Sequence, residues 1–259
     1  MTIPFGADTL DAVLFDLDDV LVPFDTPHSW QWAWRPQGPL LGDRRVKAAV
    51  RRALKAWDRR RWQGLTGKLP PADLTTLNEH IANTLATVAG HALPAAETEA
   101  VVRRVLHPAG EVERFPDVAP LLDRLRAAGV RVGVATPLPT DSARWVLHRT
   151  GLPADLLVRA GDPPEPVLPD RAAFRAAVAA LGSEPKRTGY VGDLFWSDVR
   201  AAARAGLKAV LLDRHDAWPK VQAGRILSLD GLEAAFAKGD EAPAEEEGHD
   251  HEMEDLPRP

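Results

Sequence analysis

Two pairs of aspartates carry the strongest chemical signal in the chain. Asp16 and Asp18 close the apolar run Ala12-Val13-Leu14-Phe15-Asp16-Leu17, and Asp193 and Asp198 follow a second apolar run, Tyr190-Val191-Gly192. Side chains two apart on an extended chain point to the same side, so Asp16 and Asp18 can face one ligand. Carboxylates placed where a buried strand runs out are costly unless a cation or another partner meets them. If the two runs are neighbouring strands, Asp16, Asp18 and Asp193 converge on a pocket of hard oxygen donors suited to octahedral Mg²⁺. The chain has no cysteine, which removes thiolate zinc sites, iron–sulfur clusters, disulfides and cysteine nucleophiles from consideration. Any metal must therefore sit on oxygen or imidazole.

The elements that would position these acids are legible from periodicity. Val118, Leu121, Leu122 and Leu125 have helical spacing between Pro116 and Gly129, and the apolar run Val130–Thr136 follows directly. The alternation continues with a helix over 139–150, a strand over 155–160, a helix over 169–181, a strand over 188–192, a helix over 196–205 and a strand over 207–212. Repeated strand–helix alternation predicts an α/β fold, a doubly wound parallel sheet covered by helices on both faces. Its ligand site is expected at the carboxyl ends of the strands.

Residues 25–114 break this pattern with four helical stretches and no convincing strand. They hold Trp30, Trp32, Trp34, Trp57 and Trp62, five of the chain's eight tryptophans. The expected organisation is an α/β core over residues 1–24 and 115–238, an inserted all-helical cap over 25–114, and an acidic disordered tail over 239–259. The chain's net charge of −5 originates in that tail, which carries −8 because its nine acids face a single base, Arg258. The rest of the chain is mildly basic, with its arginines scattered among acids, so no nucleic-acid partner is expected. No apolar run reaches the roughly 18 residues of a membrane span, and the first residues lack a signal-peptide layout. The sequence therefore predicts a cytoplasmic protein with no membrane partner, and leaves the oligomeric state undetermined.

The order Asp16-x-Asp18, strand-ending Thr136, Pro-led helix at 169 and Gly192-Asp193-x-x-x-x-Asp198 resembles the haloacid dehalogenase (HAD) superfamily over about residues 11–213, with the helical insertion in the place of that family's cap. The resemblance implies a Rossmann-like core and a Mg²⁺-dependent phosphatase acting on a small phosphorylated substrate. Asp16 would be the nucleophile that forms an aspartyl phosphate, and Asp18 the general acid–base. Thr136 would hydrogen-bond a phosphoryl oxygen. Asp16, the Asp18 backbone carbonyl and Asp193 would hold Mg²⁺, with Asp198 in support.

One position departs from the family pattern. Leu168-Pro169-x-x-x-x-Phe174 falls in register with a Lys-Pro motif, with Leu168 at the place of the lysine. Lys186 precedes the strand whose far end bears Asp193 and is too distant to substitute. Arg171, in the first turn of the following helix, is the candidate cation, and Arg159 is a second. The alternative reading is a degenerate member of the fold that binds a phosphorylated ligand or a partner without turnover. A dehalogenase fits less well, since attack on carbon needs neither Asp18 nor a metal. The chain contains no G-x-G-x-x-G, P-loop or G-x-S-x-G motif.

Overall fold

The computed structural model describes residues 10–23, 55, 58–60, 62–63, 96, 112–136, 138, 140–153, 156–159, 171–221 and 224–237. Among these, strand β1 spans Ala12–Asp16, helix α1 Val118–Ala127, β2 Arg131–Thr136, α2 Thr140–Thr150, β3 Leu156–Arg159 and α3 Arg171–Ala180. Then follow β4 Thr188–Gly192, a π-helical turn Phe195–Arg200 continuing into α4 Ala201–Ala205, β5 Lys208–Leu212, β6 Arg225–Ile226 and α5 Leu232–Ala237. The expected alternation is present, with boundaries within two residues of those read from the sequence. Apart from the few residues named above, the insertion expected over 25–114 lies outside the described residues, as does the tail over 239–259.

The six strands are parallel, in the order β3-β2-β1-β4-β5-β6. β1 is central because its run is apolar on both faces. Val13 and Phe15 pack on one side with Val118, Leu121 and Leu125 of α1, Val146 of α2, and Leu232 and Phe236 of α5. Ala12 and Leu14 pack on the other with Phe174 and Val178 of α3 and Ala202 and Ala205 of α4. A strand with no solvent face reads as a continuous hydrophobic run, which is how β1 announced itself. Phe174 is fully buried, edge-on to Tyr190 with ring centroids 5.0 Å apart. Its burial is worth on the order of 3 kcal/mol.

Local chemistry sets the helix limits. α1 stops at Gly129, whose φ of 75° lets the chain turn back. There the Gly129 N–H donates to the Arg126 carbonyl and the Val130 N–H to the Leu125 carbonyl, closing the helix and starting β2. β6 was missed from sequence, because two residues carry no periodic signal.

Candidate active site

The register of β1 brings the predicted residues to one edge of the sheet. Asp16 pairs with Ala135 of β2, so Thr136 stands one step beyond it, while Phe15 pairs with Val191, so Gly192 and Asp193 follow on the other side. Neighbouring strands lie about 4.8 Å apart, close enough for side chains from three strand ends to share one pocket.

Ligand oxygens of Asp16, Asp193 and Asp198 all lie within 4.8 Å of one another. The sequence proposed two of these as direct ligands and the third as support, and the fold brings all three together. The Asp18 carboxylate meets β2, where the Thr136 hydroxyl donates to its Oδ2 at 3.5 Å. Thr136 is buried, and its Oγ1 also accepts the Leu138 N–H at 3.1 Å. The candidate nucleophile, the candidate acid–base and the threonine thus occupy one strand-end cluster.

Asp198 reaches the cluster from the π-helical turn. Its Oδ2 accepts the Leu194 N–H at 3.3 Å, and the Ser197 hydroxyl donates to its Oδ1 at 3.4 Å. Gly192 is required by this return: a Cβ there would stand 2.7 Å from the Asp198 Cβ and 2.9 Å from both Asp198 Oδ2 and Tyr190 Cε1. Gly192→Ala is therefore expected to displace Asp198 and cost about 1–3 kcal/mol, as overpacking generally does. A urea unfolding midpoint equal to wild type would show that the segment absorbs the methyl group.

The chain after β1 folds back on itself in a tight turn. Asp19 has a φ of 56°, its N–H donates to the Val22 carbonyl at 2.8 Å, and the Leu21 and Val22 N–H groups both donate to the Leu17 carbonyl at 3.1 Å. Val20, Leu21 and Val22 are thereby driven into the core. Burial pushes the Asp19 carboxyl above the usual carboxylate range, opposed by His215, whose Nε2 lies 3.1 Å from Asp19 Oδ1. The Arg214 Nη2 donates to the Val20 carbonyl at 2.9 Å, while its guanidinium makes a two-pronged pair with Asp117 at 2.8 and 2.9 Å. The segment bearing Arg214 and His215 is held in turn by Asp213, whose carboxylate accepts the Ala217 and Trp218 N–H groups at 2.6 and 2.8 Å and Arg225 Nε at 2.8 Å.

Residues proposed to replace the missing lysine are not gathered as clearly. Arg171 is the exposed first residue of α3. Arg159 ends β3 opposite Thr136, and Leu168 lies outside the described residues. Lys186 sits exposed in the turn Pro185–Arg187 that precedes β4, at the opposite end of that strand from Asp193, as the sequence requires.

Sequence reading missed Asp58. It is fully buried, and its two oxygens accept the Trp196 N–H at 2.8 Å and the Ser197 N–H at 2.6 Å, across 138 residues of chain. A signal was present: Asp58 is the sole acid in the segment Arg51–Trp62, among six bases. Also missed were Asp117, Arg214 and His215, whose partners are distant in the chain, and Asp213, whose partners Ala217, Trp218 and Arg225 follow it within twelve residues.

Residues 10–206 match the model of the haloacid dehalogenase-like hydrolases. The chain belongs to this family. A phosphoglycolate phosphatase of Rhodospirillum rubrum is 36% identical to this HAD hydrolase over 99 residues, which are 38% of this chain and 41% of that protein. The pyrophosphatase PpaX of Bacillus velezensis is 34% identical over 99 residues, 38% of this chain and 45% of that one. This HAD hydrolase thus aligns with less than half the length of the curated relatives it matches. The solved structure of the magnesium-bound HAD hydrolase YfnB from Bacillus subtilis covers 88% of this chain and 99% of its own, with a TM-score of 0.63 and 17% identity. That likeness establishes the shared fold. Among the described residues, no helix of this HAD hydrolase is long and apolar enough to cross a membrane.

Proposed function

We propose that this HAD hydrolase is a Mg²⁺-dependent phosphatase acting on a small phosphate ester by way of an aspartyl phosphate on Asp16. The observation that carries the reading is the convergence of Asp16, Asp193 and Asp198 beside the Thr136–Asp18 pair. Three carboxylates with oxygens within 4.8 Å repel one another and offer only hard donors, a set that fits Mg²⁺. Asp16, Asp193 and the Asp18 backbone carbonyl would hold the ion, with Asp198 in support. When bound, Mg²⁺ supplies charge neutralisation between the carboxylates and an anionic substrate.

The chain's own residues then account for the reaction. A carboxylate oxygen of Asp16 attacks phosphorus, and the bond to the leaving oxygen breaks as the Asp18 carboxyl gives that oxygen its proton. Asp18, now ionised, takes a proton from water as the water oxygen attacks the phosphoryl group. The bond to Asp16 breaks, inorganic phosphate leaves, and both carboxyls return to their starting states. Thr136 would donate a hydrogen bond to a phosphoryl oxygen and hold it in line. The phosphatase-named relatives support a phosphorylated substrate over a haloacid.

The test is a phosphate-release screen over phosphoglycolate, pyrophosphate, sugar phosphates, nucleotides and pyridoxal phosphate, with Mg²⁺ and with EDTA. Release that depends on Mg²⁺ supports the reading, and release undiminished by EDTA would sink the metal role. The same screen addresses the missing lysine. A lost charge-assisted contact costs roughly two to three orders of magnitude in rate, so Leu168→Lys is expected to raise turnover if Leu168 occupies the cation position. Arg171→Ala is expected to abolish turnover if Arg171 already supplies the charge. If neither wild type nor Leu168→Lys releases phosphate from any compound, binding without turnover becomes the better reading.

A further inference from the structure

The acids of the site sit on the core, yet the first turn that carries Asp198 is completed by a side chain from the insertion. The first N–H groups of any helix lack intrahelical acceptors and need a partner from elsewhere. The usual remedy is an Asp, Asn, Ser or Thr just before the helix. Here that position is Leu194, which makes no side-chain cap. Asp58 supplies the acceptors instead, one oxygen to the Trp196 N–H at 2.8 Å and the other to the Ser197 N–H at 2.6 Å. These are the amides immediately before Asp198.

The contact is no isolated graze. Lys55, Asp58 and Trp62 are helical and spaced by three and four residues, so they share one face. Lys55 Nζ lies 4.9 Å from the Trp218 ring, and the Trp62 and Trp196 rings are 6.2 Å apart. The Arg200 guanidinium stands 5.4 Å from the Trp62 ring and 4.8 Å from that of Trp196, with Arg204 5.2 Å from Trp62. Cations and indole rings pack this helix face against the turn.

We propose that Asp58 is a positioning residue for the metal site. It holds the turn Phe195–Arg200 in the orientation that brings the Asp198 carboxylate to Asp16 and Asp193. This inference rests on the Mg²⁺ reading above. Asp58 acts through the backbone: its two oxygens accept the Trp196 and Ser197 N–H groups, and its charge complements the positive end of the turn. Outer partners of this kind typically govern metal affinity by 10–100-fold.

The experiment is calorimetric titration of Mg²⁺ into the full chain, without substrate, for wild type, Asp58→Ala, Asp58→Asn and Trp62→Leu, with circular dichroism and thermal melts of each unloaded protein. Asp58→Ala is expected to bind Mg²⁺ about 10–100-fold more weakly. Asp58→Asn keeps one acceptor oxygen and should lose several-fold. Trp62→Leu thins the packing on the same helix face without touching the two hydrogen bonds, and should stay within about threefold of wild type. Should Asp58→Ala fail to fold, the contrast between Asp58→Asn and Trp62→Leu decides. Wild-type affinity in the Asp58 variants, or an equal loss in Trp62→Leu, overturns the positioning role while leaving the metal reading intact. A wild-type protein with no saturable Mg²⁺ response overturns the metal reading itself and this inference with it.

Discussion

Asp16→Asn is expected to reduce phosphate release by roughly 10⁴-fold or more, the scale seen when a covalent nucleophile is removed. The amide has nearly the size of the carboxyl but is a poor nucleophile and a weak ligand for a hard cation. The fold should survive. Asp16 is only partly buried and ends its strand, and one of three carboxylates whose oxygens lie within 4.8 Å is being neutralised. The metal-free variant should therefore melt at or slightly above the wild-type temperature, because like charges no longer crowd the strand ends. Undiminished turnover in Asp16→Asn would end its assignment as nucleophile. A collapse of the melting temperature would instead show that the residue is structural.

Arg214→Met should destabilise the protein by about 3–5 kcal/mol, the usual consequence of breaking a buried ion pair from one side. The pair is well enclosed, with side-chain exposures of 10% and 12% for Arg214 and Asp117. Arg214 also stacks over the Phe115 ring at 4.0 Å and donates to the Val20 carbonyl, so its loss would loosen the turn after β1. At this size the melting temperature should fall by roughly 10 °C. The effect has a pH signature. Burial raises the Asp117 pKa, but hydrogen bonds from Arg214 and the Leu229 N–H outweigh it and hold the carboxyl below its usual range. A depressed folded pKa contributes stability that is present above the unfolded value and lost as pH falls through the folded one. The gap between wild type and Arg214→Met should thus be largest at neutral pH and narrow through and below the ordinary carboxylate range. Urea unfolding at pH 7 and in acid measures it. Replacing both partners, Asp117→Leu with Arg214→Met, should recover much of the loss, since no buried charge is then left alone.

The difference between what was legible and what was not follows from the range of the interactions. β1 and β4 could be read because burial on both faces leaves an unbroken apolar run, and the acids at their ends stand out against it. The Lys-to-Leu168 departure was equally visible, because a motif is a local pattern. Asp58 escaped because its role is set by two backbone amides 138 and 139 residues away. The ion pair of Asp117 with Arg214 spans 97 residues and is invisible for the same reason. The π-helical turn escaped because its sequence, Phe195-Trp196-Ser197-Asp198-Val199-Arg200, carries the same apolar spacing as an ordinary helix start. What distinguishes it is the need to return Asp198 past Gly192, a constraint that exists only once β4 is in place.

The central place of β1 also governs how the protein comes into being. Its ladder partners begin at residue 131 on one side and at residue 188 on the other. On a growing chain made at roughly 5–20 residues per second, the first apolar strand waits on the order of ten seconds or longer for its second neighbour to be synthesised. Until β2 is made both edges of Ala12–Asp16 are bare, and until β4 is made one still is, so pairing with another nascent chain competes with the native closure. Asp16, at the end of that strand, is therefore made long before β4 arrives to enclose it. Productive yield should accordingly depend on how well those early residues are shielded during synthesis.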